Sequence, residues 1–179
     1  MKPLIYIITG NQGEGKTTFV KELAALFKKD GFKCSGFYAE GYWKYNMRSQ
    51  FDLVEINDIE REILCNTEYE ENDIQFRRFF FKPKALESGK RILADAAGSR
   101  SVVFIDEVGM FELENKGWTE AIDRLLLDLP LALILSVRTD FADEVRKKFN
   151  LLNASERNIA YTNPETMFSE IKTELNQNQ

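Results

Sequence analysis

Apolar positions along this chain alternate between short unbroken runs and stretches with helical spacing. The run from Lys2 to Thr9, bounded by Pro3 and Gly10, has the character of a strand covered on both faces. Beyond a glycine-rich stretch, Phe19, Val20, Leu23, Ala24, Leu26 and Phe27 recur at helical period until KKDG interrupts them. KCSGFYAE then reads as a second strand, and strand, loop, helix and strand in this order predict a parallel crossover unit. From Tyr42 to about Glu70 the period shortens, and YWKYNMRSQFDLVEI and REILCNTE predict two or three short strands, an antiparallel β insertion on the sheet edge over residues 40–70. FKPKALESGKRILADAAG is helical, with Ala85, Leu86, Ile92, Leu93 and Ala96 on one side, and SVVFIDE is the next buried strand. WTEAIDRLLLDL, FADEVRKKF and NPETMFSEIKTEL read as helices, LALILSVR and RNIAYT as strands, and the tail NQNQ as frayed. The sum is an α/β protein, one domain over residues 1–179, with a mostly parallel sheet flanked by helices and an antiparallel hairpin insertion.

The glycine-rich stretch changes the picture from architecture to chemistry. Gly10, Gly15, Lys16 and Thr17 fall in the spacing G-x-x-x-x-G-K-[ST] of a phosphate-binding loop, set between a strand and a helix as that loop requires. Such a loop turns successive backbone N–H groups toward an anion, and the following helix adds its positive end. The phosphate-binding set is therefore Gly10, Asn11, Gln12, Gly13, Glu14, Gly15, Lys16, Thr17 and Thr18. Lys16 neutralises the outer phosphates, the Thr17 hydroxyl is placed to ligate Mg²⁺, and Thr18 caps the helix or contacts phosphate.

Composition narrows the rest. The chain has 179 residues, 44% hydrophobic and 30% charged, which supports one well-buried core. A net charge of −5 argues against a nucleic-acid binder, but leaves room for a small anion held by a local nest of donors. With no histidine, Ser-His-Asp and Cys-His nucleophilic sites are excluded, so any chemistry rests on carboxylates, lysine, arginine, backbone and a hard metal. Cys34 and Cys65 lack the spacing of a metal site or disulfide framework, which suits a reducing cytoplasm. MKPLIYIITG lacks a cleavage signal and no run approaches the ~20 apolar residues that span a bilayer, so a cytoplasmic protein without membrane contact is expected.

A bound Mg²⁺ needs a second protein anchor, and Asp106, at the end of the apolar SVVFI, is placed to be one. Glu107 follows, where a glutamate can face the γ-phosphate and polarise a water. Arg138 ends LALILSV, and sites in parallel sheets open at the carboxyl ends of strands, so it either serves the γ-phosphate or pairs with Asp140 or Asp143. Arg77, Arg78, Lys82 and Arg91, beside the apolar FFF, are the alternatives.

With GNQGEGKTT, GFYAE, MRSQFD, DEVGMFEL and LILSVR in view, the chain resembles the THEP1 family of small nucleoside-triphosphatases along nearly its whole length. The resemblance implies a RecA-like P-loop fold of the additional-strand (ASCE) type. It also implies slow, Mg²⁺-dependent hydrolysis of several nucleoside triphosphates, ATP and GTP among them. By position, Lys16 and Thr17 would hold phosphate and metal, Asp106 the metal shell and Glu107 the attacking water. Glu112 matches the second acid of the family's acid-Gly-acid hallmark, and Arg48 the hairpin arginine that contacts nucleotide or a neighbour. EGYW, Gln50 and Thr139 depart from the family pattern. A nucleotide or small-metabolite kinase with RRFFFKPK as a lid, and a nucleotide-dependent switch with YWKY as its partner surface, are the competing functions; the latter aromatics, Tyr42, Trp43 and Tyr45, otherwise serve as cross-strand pairs.

Overall fold

The computed structural model describes residues 4–58 and 60–177. Among these residues nine strands form one sheet: β1 (Leu4–Gly10), β2 (Cys34–Lys44), β3 (Met47–Glu55), β4 (Arg61–Asn66), β5 (Ile74–Phe76), β6 (Phe79–Phe81), β7 (Val102–Val108), β8 (Ala132–Arg138) and β9 (Ser155–Asn158), in the order β5-β6-β4-β3-β2-β7-β8-β1-β9. The half from β2 to β9 is parallel, and β8 lies as an additional strand between the glycine-loop strand β1 and the acid strand β7. The other half, β2 to β5, is antiparallel.

Helices cover both faces, as the unbroken apolar runs of the parallel strands require. On one side α1 (Lys16–Lys29) and α6 (Pro164–Gln177) bury Phe19, Leu23, Met167 and Ile171 against Tyr6, Ile8, Phe104 and Ile134. On the other, α2 (Pro83–Ala96), α4 (Thr119–Leu127) and α5 (Ala142–Lys148) bring Leu86, Leu93, Ile122 and Val145 onto Ile7, Ile105 and Leu133. Gly36 has φ +99°, and a side chain there would overlap the Phe104 carbonyl, so β2 and β7 lie closer than any other residue allows.

Several expectations need correction. Of the first predicted strand, Lys2 and Pro3 lie outside the described residues, and the strand extends to Gly10. The antiparallel insertion does not end near Glu70: β5 and β6 form a further hairpin that takes Phe81 from the start of the predicted helix. Tyr45 is not a cross-strand partner, because Tyr45 (φ 50°) and Asn46 (φ 60°) form the left-handed turn of the β2–β3 hairpin, with Lys44 opposite Met47. Trp43 does pair across the strands, with Arg48. The last strand occupies 155–158 rather than 157–162: pairing with Tyr6–Thr9 stops at Asn158, and the chain then turns so that Ile159 packs on Gly10. Asn176 and Gln177 of the expected frayed tail belong to α6, while residues 178–179 lie outside the described residues. A short helix α3 (Met110–Leu113) went unread. No described helix is long and apolar enough to cross a membrane.

Candidate active site

The glycine loop bends through Gly13 (φ 81°) and Gly15 (φ 100°), both left-handed, and releases the chain into α1 at Lys16. Lys16 is buried, and its ammonium donates to the Asn11 carbonyl (3.0 Å) while standing 3.9 Å from Glu107 Oε1. Glu14 accepts from the Asn11 backbone N–H (2.6 Å) and side-chain amide (2.8 Å), bonds that hold its carboxyl below the ordinary range.

Thr17, next on α1, donates its hydroxyl to Asp106 Oδ2 (2.7 Å). Asp106 is fully buried at the end of β7. Its Oδ2 also accepts the Ala39 backbone N–H (3.1 Å) from β2, and Oδ1 accepts the Ser136 hydroxyl from β8. Burial pushes the Asp106 carboxyl up, and the donors from Ser136, Thr17 and Ala39 act against that shift by stabilising the charged form. The register between β7 and β8 shifts between Ile105 and Val108, and Glu107 adopts φ +60°. This irregularity breaks the strict alternation of a strand and re-aims successive side chains. Asp106 turns inward, while Glu107 lines the cleft with its side chain 36% exposed. The Glu107 N–H donates to Ser136 Oγ (2.9 Å), so one hydroxyl fixes both acids. Burial, then the neighbouring Asp106 charge, raises the Glu107 pKa, with Lys16, Arg138 and Arg48 pulling the other way.

Behind this pair, Glu112 is buried, accepting from the Gly109 N–H (3.0 Å) and the Trp118 N–H (3.4 Å). It is therefore no exposed loop carboxylate. Desolvation pushes its carboxyl up to about 7 despite those donors. Because the folded value exceeds the unfolded one, the stabilisation is complete below pH ~4.5 and is lost as pH rises toward 7, at most ~3 kcal/mol. Urea unfolding from pH 4.5 to 8 should show that loss in the wild type and a flatter profile in Glu112→Gln; parallel profiles would exclude Glu112 as its source.

A cleft of 430 Å³ opens over these residues, reaching from Gln12, Gly13, Thr17 and Thr18 past Glu107 to Arg48, Arg77 and Arg138. Arg138 lines the cleft and pairs with Asp140 (3.0 Å), one of the two acids expected as its partner. Arg48 donates to the Gly41 carbonyl (2.6 Å) and lies 4.4 Å over the Trp43 ring. The other cationic candidates stand elsewhere. Lys82 is bound to Asp73 (2.8 Å) and Glu70 (3.1 Å), Arg78 lies over the Phe79 ring, and Arg91 borders a separate surface cavity with Lys84 and Glu62. Cys34 and Cys65 are buried free thiols. Ser136 was missed by sequence reasoning, although a single hydroxyl in the apolar run LALILSVR is the signal that could have found it.

The sequence matches a family model described as NTPase over residues 5–171. A nucleoside-triphosphatase THEP1 of Thermotoga sp. (strain RQ2) is 31% identical over 120 residues, 66% of each chain. The THEP1 of Methanocaldococcus jannaschii is 25% identical over 172 residues, 94% of this chain and 95% of that one. The match thus spans just under two thirds of the Thermotoga relative and nearly all of the archaeal one. Among solved structures, a human cancer-related nucleoside triphosphatase superposes with a TM-score of 0.72 at 22% identity, covering 99% of this chain and all of that one. THEP1 from Aquifex aeolicus gives 0.72 at 22%, covering 96% and 99%. Both share this fold, the P-loop arrangement with its additional strand.

Proposed function

This chain belongs to the NTPase family that includes the THEP1 nucleoside-triphosphatases, and we propose that it hydrolyses nucleoside 5′-triphosphates, ATP and GTP and also CTP and UTP, to diphosphate and phosphate, slowly and with Mg²⁺. The observation that carries this reading is the convergence of Lys16 and Thr17 with Asp106 and Glu107, about ninety residues on in sequence, with Thr17 and Glu107 lining one cleft and Lys16 and Asp106 buried against them.

The loop N–H groups and Lys16 bind the phosphates, and Lys16 exchanges its bond to the Asn11 carbonyl for phosphate oxygen. Glu107 accepts a proton from water as the water oxygen attacks the γ-phosphorus and the bond to the β–γ bridging oxygen breaks, leaving the diphosphate. Its raised pKa keeps it basic enough to take that proton. Ser136 positions Glu107 through its backbone, and Glu112 braces the turn that follows. Arg138 balances charge at the γ-phosphate when released from Asp140, and that competing pair is consistent with slow turnover.

Thr17 and Asp106 fit a Mg²⁺ site: hard oxygens, one hydroxyl and one carboxylate, already drawn together. No group of three or more carboxylates or thiols able to cage a metal occurs among the described residues, as suits an ion held largely by substrate oxygens. Bound there, Mg²⁺ would neutralise phosphate charge.

The test is phosphate release from each of the four nucleoside triphosphates, with Mg²⁺ and with excess chelator, and no added acceptor. Release in Mg²⁺ that falls to background with chelator is the expected result. Release that requires an added hydroxyl acceptor would make transfer, not hydrolysis, the main activity.

A further inference from the structure

The cleft is larger than the triphosphate tail needs, and its far half has a different character. Beyond Glu107 its wall is built from Phe51, Phe76, Phe79, Phe81 and Phe111, joined by Arg48 and Arg77. Phe79 stands edge-on to Phe51 (5.6 Å), and Phe81 stacks on Phe111 (4.2 Å). Phe51, Phe76, Phe79 and Phe81 are half-buried, packed on the core from one side and facing the cleft from the other. Rings in this arrangement make a platform for another flat ring.

The charge on this wall is one-sided at its rim. Arg77 occupies the turn between β5 and β6 with φ +55°, a position that a two-residue hairpin fills most easily with Asn or Gly. An arginine held in a strained turn at a cleft mouth points to a use for its guanidinium. Neither Arg77 nor Arg48 is paired with a carboxylate among the described residues; each lies instead against an aromatic ring.

The triphosphate's own base does not explain this wall. A triphosphate cradled by the loop would carry its outermost phosphate toward Lys16 and Glu107 and its inner two on the loop N–H groups beside β1. Its nucleoside would then lie toward β9, the neighbour of β1 on the side away from β8 and β7. The phenylalanines lie in the opposite direction, on β3, β5, β6 and α3.

We infer that the phenylalanine-lined half of the cleft is a binding site for a second molecule, a planar aromatic ring carrying a phosphate, of the nucleoside monophosphate class. The ring stacks on Phe79 and meets Phe51 edge to face, and the phosphate is held by Arg48 and Arg77. This rests on the triphosphate reading of the loop.

Titration calorimetry tests it on protein saturated with a nonhydrolysable ATP analogue and Mg²⁺, with AMP, GMP, CMP and UMP as titrants. At least one monophosphate should bind beside the analogue with Kd below about 1 mM. The matching nucleoside without phosphate should bind at least ~10-fold more weakly. Arg77→Gly keeps the turn's backbone geometry while removing the guanidinium, and Phe79→Leu keeps bulk while removing the ring; each should weaken the monophosphate at least ~10-fold. A monophosphate that displaces the analogue, fails to bind, or binds both variants as it binds wild type overturns the inference. If the analogue itself does not bind, the loop reading falls first and this inference with it.

Discussion

Glu107→Gln is expected to keep nucleotide affinity and to lower turnover by about 10²–10³-fold, the usual size of a general-base contribution. The amide is isosteric, its backbone N–H can still donate to Ser136, and the left-handed φ is unchanged in demand. What disappears is the proton acceptor at the cleft floor. The measurement pairs single-turnover rates with the Kd of a nonhydrolysable analogue, so that a loss of chemistry separates from a loss of binding. Equal turnover in variant and wild type would remove Glu107 from the reaction.

Lys16→Ala is expected to act on both quantities together, weakening analogue binding by about 10–100-fold, as removal of a charge-assisted contact to phosphate does, and lowering turnover at least as much. Because Lys16 is buried, truncation also leaves a gap beneath the loop. Lys16→Met, which keeps the stem and loses the ammonium, controls for packing. Should either variant bind the analogue as tightly as wild type, the loop is not the phosphate cradle. The opposite signatures of the two positions, chemistry alone at 107 and binding with chemistry at 16, make the pair more informative than either one.

The two halves of the molecule were unequally legible in the sequence. The glycine loop is a local device, with every component within nine positions, so spacing alone located it. The parallel strands were legible because burial on both faces leaves unbroken apolar runs such as VVFI and LILSV. The role of Ser136 was hidden for the opposite reason: its lone hydroxyl stands out in the apolar run, but its value lies in touching Asp106 and the Glu107 backbone, thirty and twenty-nine residues away. Glu112 could not be told from a solvated loop acid, since nothing in DEVGMFEL says that its carboxylate folds inward onto two backbone N–H groups. β5 and β6 are three residues each, too short to show a period, and their pairing rather than their composition makes them strands. β9 is S-E-R-N, polar throughout, and exists because β1 offers it an open edge.

Asp106 receives hydrogen bonds from α1, from β2 and from β8, three elements that touch it from three directions. It is the keystone of an arch as much as an instrument of chemistry. Replacing it would slacken the scaffold and the reaction at one stroke, and a dead enzyme so obtained would say little about phosphate. The informative lesion lies one residue along, where the chain turns outward and the side chain meets the Lys16 ammonium at 3.9 Å instead of tying three elements together.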